Sequence, residues 1–260
     1  MTRSQYHLFL IGSAALFLSG IILLSYRAYG LGMLPVLGLF TLHLSTKQNR
    51  SVISLFIFFL LGLLAFQFAT AWINEWNVSK ETKILLNRSF LLFILLALVL
   101  SHLRLKEKIR FFTEFPNWKK RIPMPSHTIS MPLFLLIGLA GSSTIFIPLI
   151  WSSSISEVKS LFLFALGFTI LNATMEELIW RGVMLSSLKR NVSVLYAVTV
   201  TSLGFGLLHL SIGIPLLLSL LFSFGGIFYA IVVLKTDSIY PSIAFHMVMN
   251  VGMVLNGWIN

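Results

Sequence analysis

The 260 residues are 57% hydrophobic and only 10% charged, and 19 Lys and Arg against 8 Asp and Glu give a net charge of +11. So much apolar surface excludes an ordinary soluble domain, and basic residues confined to short connections, with no aromatic-interleaved stripe, exclude a nucleic-acid partner. Cysteine is absent, which removes disulfides, thiol nucleophiles and thiolate-bound metal.

In chain order, apolar segments fall near 7–26, 29–44, 52–73, 84–103, 131–151, 161–188, 194–211, 214–234 and 239–257. Most approach the ~20 residues that carry a helix across a ~30 Å hydrocarbon core. The first follows Arg3 with no small-residue cleavage site after it, so it reads as a retained helix rather than a signal peptide. The second, with Gly30, Gly32, Pro35 and Gly38, is short and reads as broken or re-entrant. The fold class expected is therefore all-α, a polytopic membrane helical bundle of about nine transmembrane helices, with eight if the second does not cross. Strands are not expected, because no ten-residue alternating segments occur.

The connections set the orientation. With the N-terminus inside, inner segments hold 13 Lys and Arg, seven of them within 104–121. Outer segments hold five, namely Arg27, Lys80, Lys83, Arg88 and Lys159. That asymmetry predicts a multi-pass integral membrane protein with a cytoplasmic N-terminus, in the plasma membrane if the host is bacterial. The long inner connection from Arg104 to His127 reads as an interfacial amphipathic element followed by a proline-rich turn. Three regions are expected: 1–130, N-terminal membrane helices and a cytoplasmic loop; 131–156, the fifth span and a connection; and 157–260, a core that holds the chemistry.

Ionisable residues within a span are costly and mark functional sites. Of the eight acidic residues only Glu176 and Glu177 fall inside a span, and of the six histidines only His209 and His246 lie deep in apolar runs. Counted from the expected cytoplasmic ends of their helices at ~1.5 Å per residue, Glu176, His209 and His246 fall close to one level in the bilayer. One shared, water-reachable cavity is the simplest account of that coincidence.

Helical spacing then suggests roles. Glu177 and Arg181 are four apart and able to pair, while Glu176 points ~100° away and stays out of that pair. Glu176 is thus the candidate general base. Phe205 stands four residues before His209, and His246 four before Asn250, so that an imidazole and an amide on one face could stabilise an oxyanion. The single Asp of the chain excludes a paired-aspartate protease. His-Glu-x-x-His, serine-elbow and phosphate-loop signatures are all missing.

"EELIWR" at 176–181, "FGLLH" at 205–209 and "HMVMN" at 246–250 together resemble, in order and spacing, the three motifs of the CPBP family. That family of intramembrane proteases includes the type II CAAX prenyl endopeptidases and the bacteriocin-processing and immunity-type proteins. The resemblance covers roughly 157–257. It implies a four-helix catalytic core that hydrolyses a peptide bond within the membrane without a covalent intermediate. Glu176 and His209 would activate the water, His246 and Asn250 would polarise the carbonyl, and Glu177 and Arg181 would brace the first helix of the core. The family is often labelled metalloprotease. Asn at the fourth position fits a metal-free site, so no cofactor is expected; the alternative is zinc on Glu176, His209 and His246. The expected substrate is a membrane protein, or a lipid-anchored (CAAX-type) or leader-bearing peptide. The alternative function is a non-catalytic membrane partner, an immunity or regulatory protein that retains the family fold.

Overall fold

The computed structural model describes residues 3–46, 49–123, 126–151 and 155–259. The N-terminal helices are α1 (Arg3–Ser25), α2 (Tyr29–Ser45), α3 (Arg50–Asn74), α4 (Lys80–Ser89) and α5 (Leu91–Leu105). After a two-stranded ribbon follow α6 (Met131–Trp151) and α7 (Ile155–Glu177). The chain closes with α8 (Ser186–Asn191), α9 (Val194–Leu208), α10 (Leu216–Thr236) and α11 (Tyr240–Leu255). Among the described residues six stretches are long and apolar enough to cross a membrane: Ser4–Ser25, Arg50–Asn74, Lys80–Leu105, Leu161–Asn191, Val194–Ile212 and Leu216–Thr236. Tyr29–Ser45, Met131–Thr144 and Tyr240–Leu255 are shorter apolar helices. The fold is an all-α membrane bundle.

α2 is not broken at Pro35. The helix runs through it, and Gly32 serves a close crossing instead: a Cβ there would stand 2.6 Å from the Leu24 side chain of α1. α4 begins under a Ser79 cap, whose hydroxyl accepts from the Thr82 amide at 3.2 Å. Phe90 keeps helical backbone (φ −70°, ψ −10°), so α4 continues into α5. Arg88 is therefore no outer-loop residue. It sits inside a spanning stretch and is only 8% exposed.

The connection after α5 forms no helix among the described residues. Its backbone pairs instead with the α10–α11 turn: the Ile239 amide donates to the Phe112 carbonyl at 2.8 Å and the Asn117 amide to the Thr236 carbonyl at 2.7 Å. Phe112 is fully buried there. Beyond it β1 (Arg121–Pro123) and β2 (Thr128–Ser130) form an antiparallel ribbon, where no strand is expected from the sequence. Residues 124–125 of the proline-rich turn lie outside the described residues, as do 152–154 of the α6–α7 connection.

Two packing features place the helices that matter. Phe17 of α1 stacks on Phe56 of α3 at 4.3 Å, and Phe59 meets Trp180 at 4.9 Å, joining the N-terminal helices to the segment after α7. α9 and α10 cross on small residues. A Cβ on Gly226 would lie 2.9 Å from the Ser202 Cα, and one on Gly206 would lie 2.8 Å from the Ser223 amide nitrogen. Without a hydrophobic drive inside lipid, such close backbone approach is what binds helices to each other.

Candidate active site

Glu176 and Glu177 end α7, and the next eight residues, Leu178–Leu185, widen into a π-helix. Nothing in an apolar run distinguishes π from α, so the sequence does not show this widening; π segments recur at functional sites. The expected pair forms, Arg181 Nη1 donating to Glu177 Oε1 at 3.0 Å with both residues buried. Arg181 Nη2 also donates to the Gly226 carbonyl at 2.9 Å, and the guanidinium lies over the rings of Phe205 (4.7 Å) and Tyr229 (5.1 Å). Glu177 is saturated further, taking the Ser242 hydroxyl at 2.6 Å and His246 Nδ1 at 3.1 Å.

Glu176 differs. Its Oε1 stands 3.6 Å from Arg88 Nη1 and its Oε2 3.6 Å from His246 Nε2, while Oε2 makes no hydrogen bond. His246 thus spans the two carboxylates. Because Nδ1 faces an oxygen that only accepts, it carries the proton, and Nε2 is turned towards Glu176. The ring stacks on Tyr229 at 4.8 Å and meets the Phe205 edge at 5.7 Å.

His209 opens a 3-10 turn after α9. Its Nδ1 donates to the Phe205 carbonyl at 3.0 Å, which leaves Nε2 as the free lone pair of the neutral ring. Phe222 stacks on it at 4.4 Å and the Phe205 edge stands 5.2 Å away. Asn250 is fully buried, and neither atom of its amide has a hydrogen-bond partner among the described residues.

Glu176, His209 and Asn250 all line one cavity of about 390 Å³, together with Arg88 and Asn172. Phe168, Phe222 and Met253 supply apolar wall. Lys80 and Lys83, at the start of α4, line it as well. His246 is not on the wall. It lies against Glu176, and the Asn250 amide has no hydrogen-bond partner among the described residues. Phe205 packs beneath both imidazoles.

Four contributors escape the sequence reading. Arg88 carried the signal used for Glu176, a charge within an apolar run: it lies inside the 84–103 segment, yet the charge count assigns it to an outer connection. Asn172 and Ser242 stand four residues before Glu176 and His246, on the same helix faces, a spacing that could have found them. Tyr229 carries no sequence mark.

As a zinc site the arrangement fits poorly. Among the described residues no three His, Cys, Asp or Glu side chains converge closely enough to hold a metal ion. Asn250 is a weak zinc donor.

The family model described as Type II CAAX prenyl endopeptidase Rce1-like matches residues 158–252, a stretch that includes all three motifs. No curated protein and no solved structure matches the chain.

Proposed function

From the premise that residues 158–252 carry a CAAX-family protease domain, we propose that this integral membrane protein is an endopeptidase in which Glu176 activates water against a membrane-associated substrate. The substrate is a lipid-anchored, CAAX-type or leader-bearing peptide. The N-terminus lies on the cytoplasmic side, following the excess of Lys and Arg on that face.

One observation carries the proposal. Among the described residues, Glu176 Oε2 and both amide atoms of Asn250 are buried without hydrogen-bond partners beside one cavity in a membrane protein. Orphaned polar atoms in a low-dielectric interior are costly, and a peptide with its attacking water would satisfy them.

A water between Glu176 Oε2 and His209 Nε2 gives its proton to the carboxylate as its oxygen attacks the scissile carbonyl carbon. The Asn250 amide donates to the carbonyl oxygen as it becomes an oxyanion. His246, fixed through Nδ1 by Glu177, presents the Nε2 lone pair to Glu176 and accepts a hydrogen bond from its carboxyl once that has taken the water's proton. Glu176 then returns the proton to the leaving amine, the C–N bond breaks, and a carboxylate and an amine depart. No covalent enzyme intermediate and no metal enter these steps. Glu177 and Arg181 keep the strand of π-helix in place.

The test is reconstitution. The full chain in lipid nanodiscs, incubated with prenylated CAAX peptides and with leader-bearing peptides, should release fragments identifiable by mass spectrometry. A preparation that is folded yet cleaves neither class contradicts the proposal.

A further inference from the structure

Two adjacent carboxylates, Glu176 (3% exposed) and Glu177 (0%), are buried inside a spanning stretch. Arg181 answers only Glu177, at 3.0 Å. The second cation comes from α4, far outside residues 158–252: Arg88 Nη1 stands 3.6 Å from Glu176 Oε1. Each of the two carboxylates then has a guanidinium of its own, and an ionised group within a membrane protein is retained where a partner balances it.

The geometry is directional. Arg88 approaches Oε1 and leaves Oε2, the oxygen without a hydrogen bond, to the side of His246. The Arg88 Nε atom is itself buried without a partner. α4 is tied down where this matters, since Asn87 Nδ2 donates to Thr70 Oγ1 of α3 at 2.8 Å and the Lys83 ammonium to the Asn74 carbonyl at 2.8 Å. The arginine is thus delivered by a helix fixed to its neighbour, not by a mobile loop.

We propose that Arg88 is the positioning residue of the water-activating base: it balances the Glu176 carboxylate and keeps Oε2 turned to the attacking water. The N-terminal helices are then a working part of the site, which the CAAX-type domain alone does not complete. This rests on the proteolytic reading of Glu176.

The experiment uses the full chain in nanodiscs with Arg88→Met and Arg88→Lys, each also combined with Glu176→Gln. Arg88→Met should lower kcat on the order of 100-fold with KM within about threefold, the size of a lost general-base contribution, while Arg88→Lys keeps activity within about tenfold of the parent. In thermal unfolding, Arg88→Met should destabilise the parent and leave Glu176→Gln nearly unchanged, because the second change removes the orphaned charge. Full kcat in Arg88→Met, or a loss confined to KM, overturns the proposal. So does equal destabilisation in both backgrounds, which would make Arg88 a packing residue. If Arg88→Met does not fold, the double variant decides: recovery of folding supports the pairing, and continued misfolding rejects it. A parent that cleaves nothing while the thermal coupling persists defeats the proteolytic reading and the role assigned to Arg88 in it, but leaves the ion pair standing.

Discussion

His246 on α11 meets Glu177 on α7 with Nδ1 3.1 Å from Oε1, across 69 positions of sequence. The contact locks an imidazole between two carboxylates and joins the first motif of the site to the last. It also explains why Glu177 cannot share the duties of Glu176. Each of its oxygens is already taken, by Arg181 and His246 on one side and by Ser242 on the other.

Glu177→Ala should therefore act on stability first. It strands the buried guanidinium of Arg181 and frees the imidazole, and loss of one partner of a buried pair costs about 3–5 kcal/mol. Thermal unfolding in detergent reads this directly, and Glu177→Gln, which keeps the hydrogen-bonding shape, should lose less.

His209→Gln should do the reverse. The ring sits between Phe222 and Phe205 with a single backbone hydrogen bond. Folding should survive its replacement, while kcat falls by roughly 10²–10⁴-fold if Nε2 helps to hold the attacking water. Peptide release measured beside unfolding temperature separates the two effects.

How much of this was legible beforehand follows from the kind of signal each residue gave. Glu176, Glu177, His209 and His246 stood out because polar groups in apolar runs are rare, and i,i+4 spacing was enough to pair Glu177 with Arg181. Arg88 gave the same signal, since it lies inside the 84–103 run, but counting it with the outer connections hid it; the spanning stretch covers Lys80–Leu105. Spacing along α11 put His246 and Asn250 on one face but could not show that Glu177 turns the imidazole away, since that contact is tertiary. The path of Phe112 and Asn117 along the α10–α11 turn was equally hidden, because its hydrogen bonds run to backbone far away in sequence.

A chelator should leave peptide cleavage unchanged, and added zinc should not raise it, if Glu176 activates water without a metal. Loss of activity with 1,10-phenanthroline that returns on zinc addition would instead assign the imidazoles and Glu176 to a metal.

Orientation can be read on the same molecule, because the chain has no cysteine. With a cytoplasmic N-terminus, a cysteine introduced at Asn77, in the turn between α3 and α4, should react with a membrane-impermeant maleimide added outside intact cells. One at Lys119 should react only after permeabilisation. The opposite pattern inverts the topology.

The most direct measurement is peptide hydrolysis by Glu176→Gln in nanodiscs, beside the unaltered chain, with thermal unfolding recorded on both. The substitution keeps size and hydrogen-bonding shape but removes the proton acceptor. A folded Glu176→Gln protein should release no product above the uncatalysed background. Release at the parent rate would contradict a glutamate-activated water.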